Sequence, residues 1–332
     1  MPRLSDILGQ TQAVDVLRRA AAAGKLAHAY LFTGPEGVGK ATCARHLAAA
    51  LNCDSAPAEG CNECISCHKI EHGLHPDLLH IEPDGAMIKI GQVRQLEEQL
   101  SFAPHEGRCR VVLIDGADLL NLNAANALLK SVEEPRPRTL FVLVASAGHR
   151  VVPTLVSRCQ RLRFVPLDAD LVFQVVSRVS DAREEDRRAS AVLAEGSPRR
   201  ALRLIEGEQV TFIQHTVGAL LRAAQSPEML PLFAAAADAG RDRQALQEVL
   251  EVVRVRLRDL LLCREGLADG RVVDAERLPR LQQEAARTSR SAVLRQLRAV
   301  QEAQLALRGN VNPTLTLENL VLHMRQAQAV AS

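Results

Sequence analysis

The sequence predicts an α/β domain followed by all-α domains: a parallel sheet built around a phosphate-binding loop, then a helical remainder. Three observations carry this. Over the first half of the chain, short apolar runs alternate with segments of helical periodicity, the pattern of a parallel sheet covered on both faces. One of those runs leads through a glycine-rich loop directly into a helix. Past Leu167 the strand signals cease, and apolar residues recur only at helical spacing. With 332 residues, the chain exceeds what one compact core usually holds. The expected division is 1–166 as the α/β domain, 167–206 as a small helical domain and 207–332 as a larger helical one.

The chain opens with Leu4-Ser5-Asp6-Ile7-Leu8-Gly9-Gln10, and Ala13, Val14, Val16, Leu17 and Ala20 then follow at helical spacing. Gly24 to His28 breaks that helix and leads into the strand Ala29-Tyr30-Leu31-Phe32. Next comes Gly34-Pro35-Glu36-Gly37-Val38-Gly39-Lys40-Ala41-Thr42, and then the helical stretch Cys43–Leu51. Strand, glycine loop and helix in register make a P-loop. Gly34, Gly37 and Gly39 allow backbone N–H groups to turn inward around phosphate oxygens. The helix N-terminus adds partial positive charge, and Lys40 adds a full one. The usual pattern ends Gly-Lys-Ser/Thr, with the hydroxyl on Mg²⁺. Here Ala41 holds that position, and Thr42 lies one step round the helix. The phosphate cradle is kept and the metal ligand is lost.

Cys53, Cys61, Cys64 and Cys67 follow, spaced Cys-x7-Cys-x2-Cys-x2-Cys in a loop that includes Pro57 and Gly60. Four thiolates within so few residues suit a closed tetrahedral structural Zn²⁺ site, with no position left for a catalytic water. His68, His72, His75 and His80 lie nearby. Four sulfurs already complete the site, so these histidines are read as exposed or packing residues.

Leu78 to Glu82 reads as a strand and Ile90 to Phe102 as a helix. Arg110-Val111-Val112-Leu113-Ile114-Asp115 is a buried strand ending in an acid. A strand-end Asp after a P-loop can reach Mg²⁺ through water. In hydrolysing relatives of such proteins a Glu follows it, where this chain has Gly116. Leu119 to Val132 is helical and is stopped by Glu133-Glu134-Pro135. Thr139 to Ser146 is a further buried strand, and Ser157-Arg158-Cys159 precedes the short strand Arg161–Phe164. Residues 168–206 read as short helices that include Gly196-Ser197-Pro198-Arg199, and 207–330 as helical throughout, densest in apolar residues from Leu246 to Leu262. The last helix opens at Asn312-Pro313, a cap followed by a first-turn proline. Leu315, Leu317, Leu320, Val321, Leu322 and Met324 give it a face too broad for a solvated helix, suited to an internal core and in part to neighbouring subunits.

Composition excludes several classes. The net charge of +2 announces neither nucleic-acid nor membrane binding. With no Trp, one Tyr and seven Phe, the chain is poorly equipped to grip single strands by base stacking. No apolar run reaches the length of a membrane span and no signal peptide opens the chain, so a soluble, cytoplasmic protein is expected. Eight cysteines in a reducing compartment argue for metal rather than disulfides. No basic helix adjoins the cysteines, which disfavours a groove-reading zinc module.

These residues together resemble the AAA+ clamp-loader subunits of bacterial DNA polymerase III. The matching stretches are Ile7–Gln10, His28–Phe32, the P-loop, the four-cysteine module, Asn126-Ala127-Leu128-Leu129-Lys130, Glu133-Glu134-Pro135, Ser157–Cys159, Gly196–Arg199 and Asn312–Leu322. The resemblance implies a small helical lid at 167–206 and a helical collar at 207–332. Through the collar it implies a hetero-pentameric ring with tau/gamma and delta subunits, which loads the sliding clamp on primed DNA within the nucleoid-associated replisome. Tau/gamma-type members are ATP-hydrolysing motors. Delta-prime-type members are end pieces that lend the Ser-Arg-Cys arginine, here Arg158, to a neighbour's ATP. Gly34, Gly37, Gly39, Lys40, Ala41, Thr42, Asp115 and Arg199 are implied as a vestigial site with weak ATP or ADP binding. Ala41 and Gly116 depart from the motor pattern, and the chain ends at Ser332 without a tau-type extension. The delta-prime type with little or no ATPase activity is therefore expected, and a tau/gamma-type motor is the alternative.

Overall fold

The computed structural model describes residues 3–206, 209–225, 243–268, 278–309 and 311–329. The chain divides into two compact units, Met1–Leu167 with Ser197–Arg199, and Asp168–Gly196 with Arg200–Ser332.

The first unit is built on five strands, β1 Ala29–Thr33, β2 Leu78–Ile81, β3 Arg110–Asp115, β4 Thr139–Ala145 and β5 Gln160–Arg163. They form one sheet in the order β2-β3-β4-β1-β5, with every pairing parallel. Parallel neighbours cannot be joined by hairpins, so helices must cross the faces. These helices are α1 Thr11–Ala22, α2 Lys40–Asn52, α3 Ile65–Glu71, α4 Ile90–Leu100, α5 Leu122–Glu133 and the single turn α6 Pro153–Val156. Strand residues alternate between faces. Ala29 and Leu31, Val112 and Ile114, and Phe141, Leu143 and Ala145 share a core with buried residues of α4, α5 and α6. The intervening Phe32, Val111, Leu113, Leu140 and Val142 are also buried, which explains why these strands read as unbroken apolar runs.

The segment after β3 differs from the sequence reading. The helix expected from Leu119 is a 3₁₀ turn at Ala117–Leu119, followed by a restart at Leu122. Asn121 causes the restart, because its side chain accepts a hydrogen bond from the Ala124 N–H at 2.8 Å and so caps a new helix. The short helices α3 and α6 were too brief to show a period.

The second unit is helical, with α7 Ala169–Ser177, α8 Glu184–Leu193, α9 Pro198–Glu206, α10 Gln209–Gln225, α11 Arg243–Arg264, α12 Leu278–Arg287, α13 Arg290–Arg308 and α14 Pro313–Ala329. The expectation of helix throughout 207–330 includes positions 207–208, 226–242, 269–277, 310 and 330, which lie outside the described residues. Leu193 and Leu204 share one hydrophobic core with Ile213, Leu246, Leu250, Val293, Leu317 and Met324. Asn312 caps α14, accepting from the Thr314 N–H at 2.9 Å. The same unit carries a partly buried ionic cluster. Glu195 pairs with Arg200 at 2.9 Å and Arg254 at 3.2 Å, and Arg200 pairs with Glu248 at 2.7 Å. Mutual neutralisation is what lets these charges leave water.

On α2 the His46 ring is 2% exposed. Burial pushes its pKa down to about 4, partly opposed by a hydrogen bond to the Arg3 backbone. The native fold therefore holds the ring neutral, while the unfolded chain takes up a proton below about 6.5. Stability is expected to fall as pH drops from about 6.5 to about 4 and then level off, with roughly 3 kcal/mol from this residue. His46→Leu should flatten that part of the profile, as read from urea midpoints measured across the pH range.

Candidate functional site

The P-loop occupies the position after β1 and delivers Lys40 as the first residue of α2, with Gly39 as its N-cap. At Gly37 the backbone has φ 75°, and an added Cβ would lie 2.2 Å from Ser197 Oγ and 2.9 Å from Arg199 Cβ. The Arg199 N–H donates to the Gly37 carbonyl at 3.4 Å. Ser197–Arg199 is therefore seated directly on the loop, while Arg199 is exposed. Lys40 is 5% exposed, and its Nζ donates to the carbonyl oxygens of Gly34 at 2.6 Å and Pro35 at 2.5 Å. Burial lowers the pKa of its ammonium, and the negative charges of Asp115, Asp118 and Glu36 oppose that shift. An incoming phosphate must compete with the loop's own carbonyls for this cation. Ala41 is half-buried and offers no ligand, and Thr42 is exposed.

Asp115 ends β3, with β4 between it and the P-loop strand. Gly116 after it has φ 97°, and an added Cβ would meet Pro83 Cγ at 3.1 Å. The missing acid is thus built into the backbone. A Glu placed here would be strained as well as new. Asp118 accepts from the N–H groups of Ser146 at 3.2 Å and Ala147 at 3.0 Å, tying the end of β3 to the end of β4.

Arg158 follows α6 and precedes β5. Its guanidinium forms a two-point ion pair with Glu133 at the end of α5, Nε to Oε2 at 3.2 Å and Nη2 to Oε1 at 3.2 Å. Nη1 donates to the Thr154 carbonyl at 2.9 Å. The parallel register sets Gln160 beside Tyr30, near the start of β1, whereas the P-loop follows the last residue of that strand. Arg158 and the P-loop therefore lie at opposite ends of the sheet. Four residues of strand alone separate those ends by about 13 Å.

The four predicted cysteines are brought together. One sulfur from each of Cys53, Cys61, Cys64 and Cys67 lies within 4.8 Å of the others, with Cys53 and Cys64 Sγ atoms 3.9 Å apart. Backbone N–H groups point at the sulfurs, from Ala56 to Cys53 at 3.2 Å and from Glu63 and Cys64 to Cys61 at 3.4 and 3.2 Å. Those donors pull the Cys61 thiol down to about 6, whereas burial pushes Cys67 up to about 12. Such N–H donors stabilise thiolate, the form that ligates metal. The cluster fits a single ion in a four-sulfur shell. All eight cysteines are free thiols. Hydrogen bonds tie the start of the module to the chain before β3. The Asn52 side chain, one residue before Cys53, donates to the Cys109 carbonyl at 2.9 Å and accepts from the Cys109 N–H at 3.0 Å.

Several residues have tertiary contacts that the sequence reading did not assign to them. Gln10 is buried, donates to the Val165 carbonyl at 2.7 Å and the Val38 carbonyl at 3.2 Å, and accepts from the Val165 N–H at 3.1 Å. It thereby clasps the P-loop to the chain leaving β5. Glu133, Ser197 and Asp118 likewise act through tertiary neighbours. No spacing rule marks them in the sequence.

A parallel sheet in this order, with a glycine-rich phosphate loop after β1 and an acid at the end of β3, defines a P-loop α/β protein. Two family models match the chain, "DNA polymerase III, delta subunit" over residues 9–168 and "DNA polymerase III, delta subunit, C terminal" over 219–326. DNA polymerase III subunit delta' of Bacillus subtilis is 30% identical over 340 residues, covering 96% of both chains. Subunit tau of the same organism is 34% identical over 210 residues, which is 61% of this chain and 37% of tau. Among solved structures, a DNA polymerase III gamma-subunit-related protein from Thermotoga maritima aligns with TM-score 0.41 and 17% identity, over 95% of this chain and 99% of that one. The chain belongs to the DNA polymerase III delta-subunit family, and the resemblance to clamp-loader subunits is borne out.

Because Gly37 combines a left-handed backbone with the close approach of Ser197, Gly37→Ala is expected to destabilise the first unit by about 1–3 kcal/mol. A chemical-denaturation midpoint measures this. An unchanged midpoint would show that Ser197–Arg199 is not seated on the loop in solution.

Proposed function

We propose that this chain is a delta-prime-type clamp-loader subunit: a ring component that hydrolyses little or no ATP itself and supplies Arg158 in trans to a neighbour's ATP. The observation that carries the reading is the placement of Arg158 at the end of the sheet opposite its own P-loop. A guanidinium there serves no phosphate bound by the same chain. Its partner Glu133 forms only a surface pair, with side chains 33% and 55% exposed, of the kind worth about 0–1 kcal/mol. A γ-phosphate can displace it and engage the same planar fork at two oxygens. The reading of weak hydrolysis rests on Ala41, on the glycine-built turn at Gly116, and on Lys40 being held by its own loop. Phosphate binding, where it occurs, falls to the P-loop backbone and Lys40, with Asp115 alone on the metal side.

The motor reading draws on similarity to tau/gamma chains, the 34% identity to tau over the shared region among them. Partners follow the same reading: tau/gamma and delta subunits in a five-membered ring, the sliding clamp, and primed DNA reached through the assembly in the cytoplasm. Within the chain we place the ATPase-type domain at 1–166, the lid at 167–206 and the collar at 207–332. No helix among the described residues is long and apolar enough to cross a membrane.

Cys53, Cys61, Cys64 and Cys67 would hold one structural Zn²⁺, which supplies no chemistry beyond cross-linking the loop. Metal analysis after exhaustive dialysis is expected to give one Zn²⁺ per chain. Cys64→Ser is expected to lose it while the sheet remains folded. A wild-type protein without metal ends this assignment.

Arg158→Ala is expected to leave folding and ring assembly intact while lowering DNA-stimulated ATP turnover and clamp loading by a complex reconstituted with otherwise wild-type subunits. An arginine supplied in trans is worth roughly 10³–10⁵-fold at a single P-loop site, diluted where several sites share the work. Arg158→Lys should rescue poorly, because an ammonium lacks the fork. Full activity with Arg158→Ala would reduce this subunit to a scaffold.

A further inference from the structure

Helix α3 carries a second group of metal-ligand side chains that the four-cysteine cluster does not use. Its sequence is Ile65-Ser66-Cys67-His68-Lys69-Ile70-Glu71-His72 with the cap residue included. Cys67 and Ile70 turn inward, and His68, Glu71 and His72 are exposed. Positions three and four apart on a helix are neighbours on its surface. One ligand atom from each of the three side chains lies within 4.8 Å of the other two.

The orientation of His72 is a second, independent observation. Its Nδ1 lies 2.8 Å from the His68 carbonyl oxygen. A carbonyl only accepts, so Nδ1 is the donor and Nε2 is the nitrogen a metal would take. A ring nitrogen donating to a backbone carbonyl is the outer-shell arrangement found around metal-binding histidines. The Lys69 ammonium is engaged by Glu106 at 2.7 Å, and a hydrogen bond already holds the Glu71 carboxyl below its usual range, so an ion must displace that partner to reach it. His75, also close in sequence, belongs elsewhere. It is buried, its Nδ1 accepts from the Asp77 N–H at 3.1 Å, and its Nε2 faces Ser66 Oγ at 3.0 Å.

We propose that His68, Glu71 and His72 form a second, surface site for a divalent transition-metal ion such as Zn²⁺, separate from the four-cysteine cluster. Two imidazoles and one carboxylate favour Zn²⁺, Ni²⁺ or Cu²⁺ over Mg²⁺ or Ca²⁺. Ligands around a tetrahedral ion sit about 3.4 Å apart, given bonds of ~2.0–2.2 Å, so rotations about the exposed side-chain bonds close the site. Three protein ligands leave a fourth position to water. The order His-x-x-Glu-His also carries zinc in one class of metallohydrolases. Here the three residues stand exposed on a seven-residue helix, so the site binds an exchangeable ion and catalysis is not claimed for it.

The test is calorimetric titration of untagged, dialysed protein, which retains its cysteine-bound metal, with ZnCl₂, and with MgCl₂ as control. Wild type is expected to take up one further Zn²⁺ and no Mg²⁺. His68→Ala and His72→Ala should each weaken that event by more than the roughly 10–100-fold that loss of an outer-shell partner costs. Both variants should keep the cysteine-bound metal, counted by metal analysis, and an unchanged circular dichroism spectrum. Glu71→Gln should weaken Zn²⁺ binding less than either histidine change. Absence of a second Zn²⁺ in wild type overturns the proposal, as does a second Zn²⁺ that survives in the His68→Ala/His72→Ala double variant.

Discussion

The parallel pairing of β1 with β5 is the constraint on which the rest depends. Because Tyr30 lies beside Gln160 and Thr33 beside Arg163, everything after β1 and everything before β5 must lie at opposite ends of the sheet. The P-loop is at one end and Arg158 at the other. An antiparallel β5 would have brought the arginine toward its own loop. Parallel pairing makes the sheet two-ended, with the P-loop at one end and the Arg158 guanidinium at the other.

The P-loop end is governed by how Lys40 is satisfied. An ammonium this buried needs partners. It finds them in the Gly34 and Pro35 carbonyls, with the charges of Asp115 and Asp118 near enough to be felt. Gly116 is fixed in a different way, by a left-handed turn packed against Pro83.

The cysteine module is held by a different device. Asp77 is buried and accepts from the N–H groups of His105, Glu106 and Gly107 at 2.8, 3.0 and 2.7 Å. The Arg110 guanidinium lies 3.4 Å from it and donates to the carbonyls of Gln99, Phe102 and Ala103. Those three N–H donors and the guanidinium hold the Asp77 carboxyl below the usual carboxylate range despite burial, which acts the other way. Breaking a buried pair of this kind leaves an uncompensated charge, so both members are fixed. The loop before β3 is set by this pair and joined to the end of α2 through Asn52. The first cysteine of the cluster therefore leaves α2 from a defined point.

The sequence by itself determined the strands of the sheet, the P-loop, the loss at Ala41 and the set of four cysteines. Each is a local signal: an apolar run between breakers, a glycine spacing, a missing hydroxyl, thiols a few residues apart. Local signals also located the caps at Asn312 and the stop at Glu134-Pro135. Tertiary structure alone decided what rests on long-range contact. The seat of Ser197–Arg199 on Gly37, the Gln10 clasp and the Asn121 restart depend on atoms whose partners cannot be counted along the chain, or on a single side-chain bond that outweighs periodicity. The same holds for Arg158. Its Ser-Arg-Cys setting was legible, but its opposition to the P-loop and its pairing with Glu133 follow only from strand register, because parallel order is fixed by how the layers pack and not by the composition of any one strand.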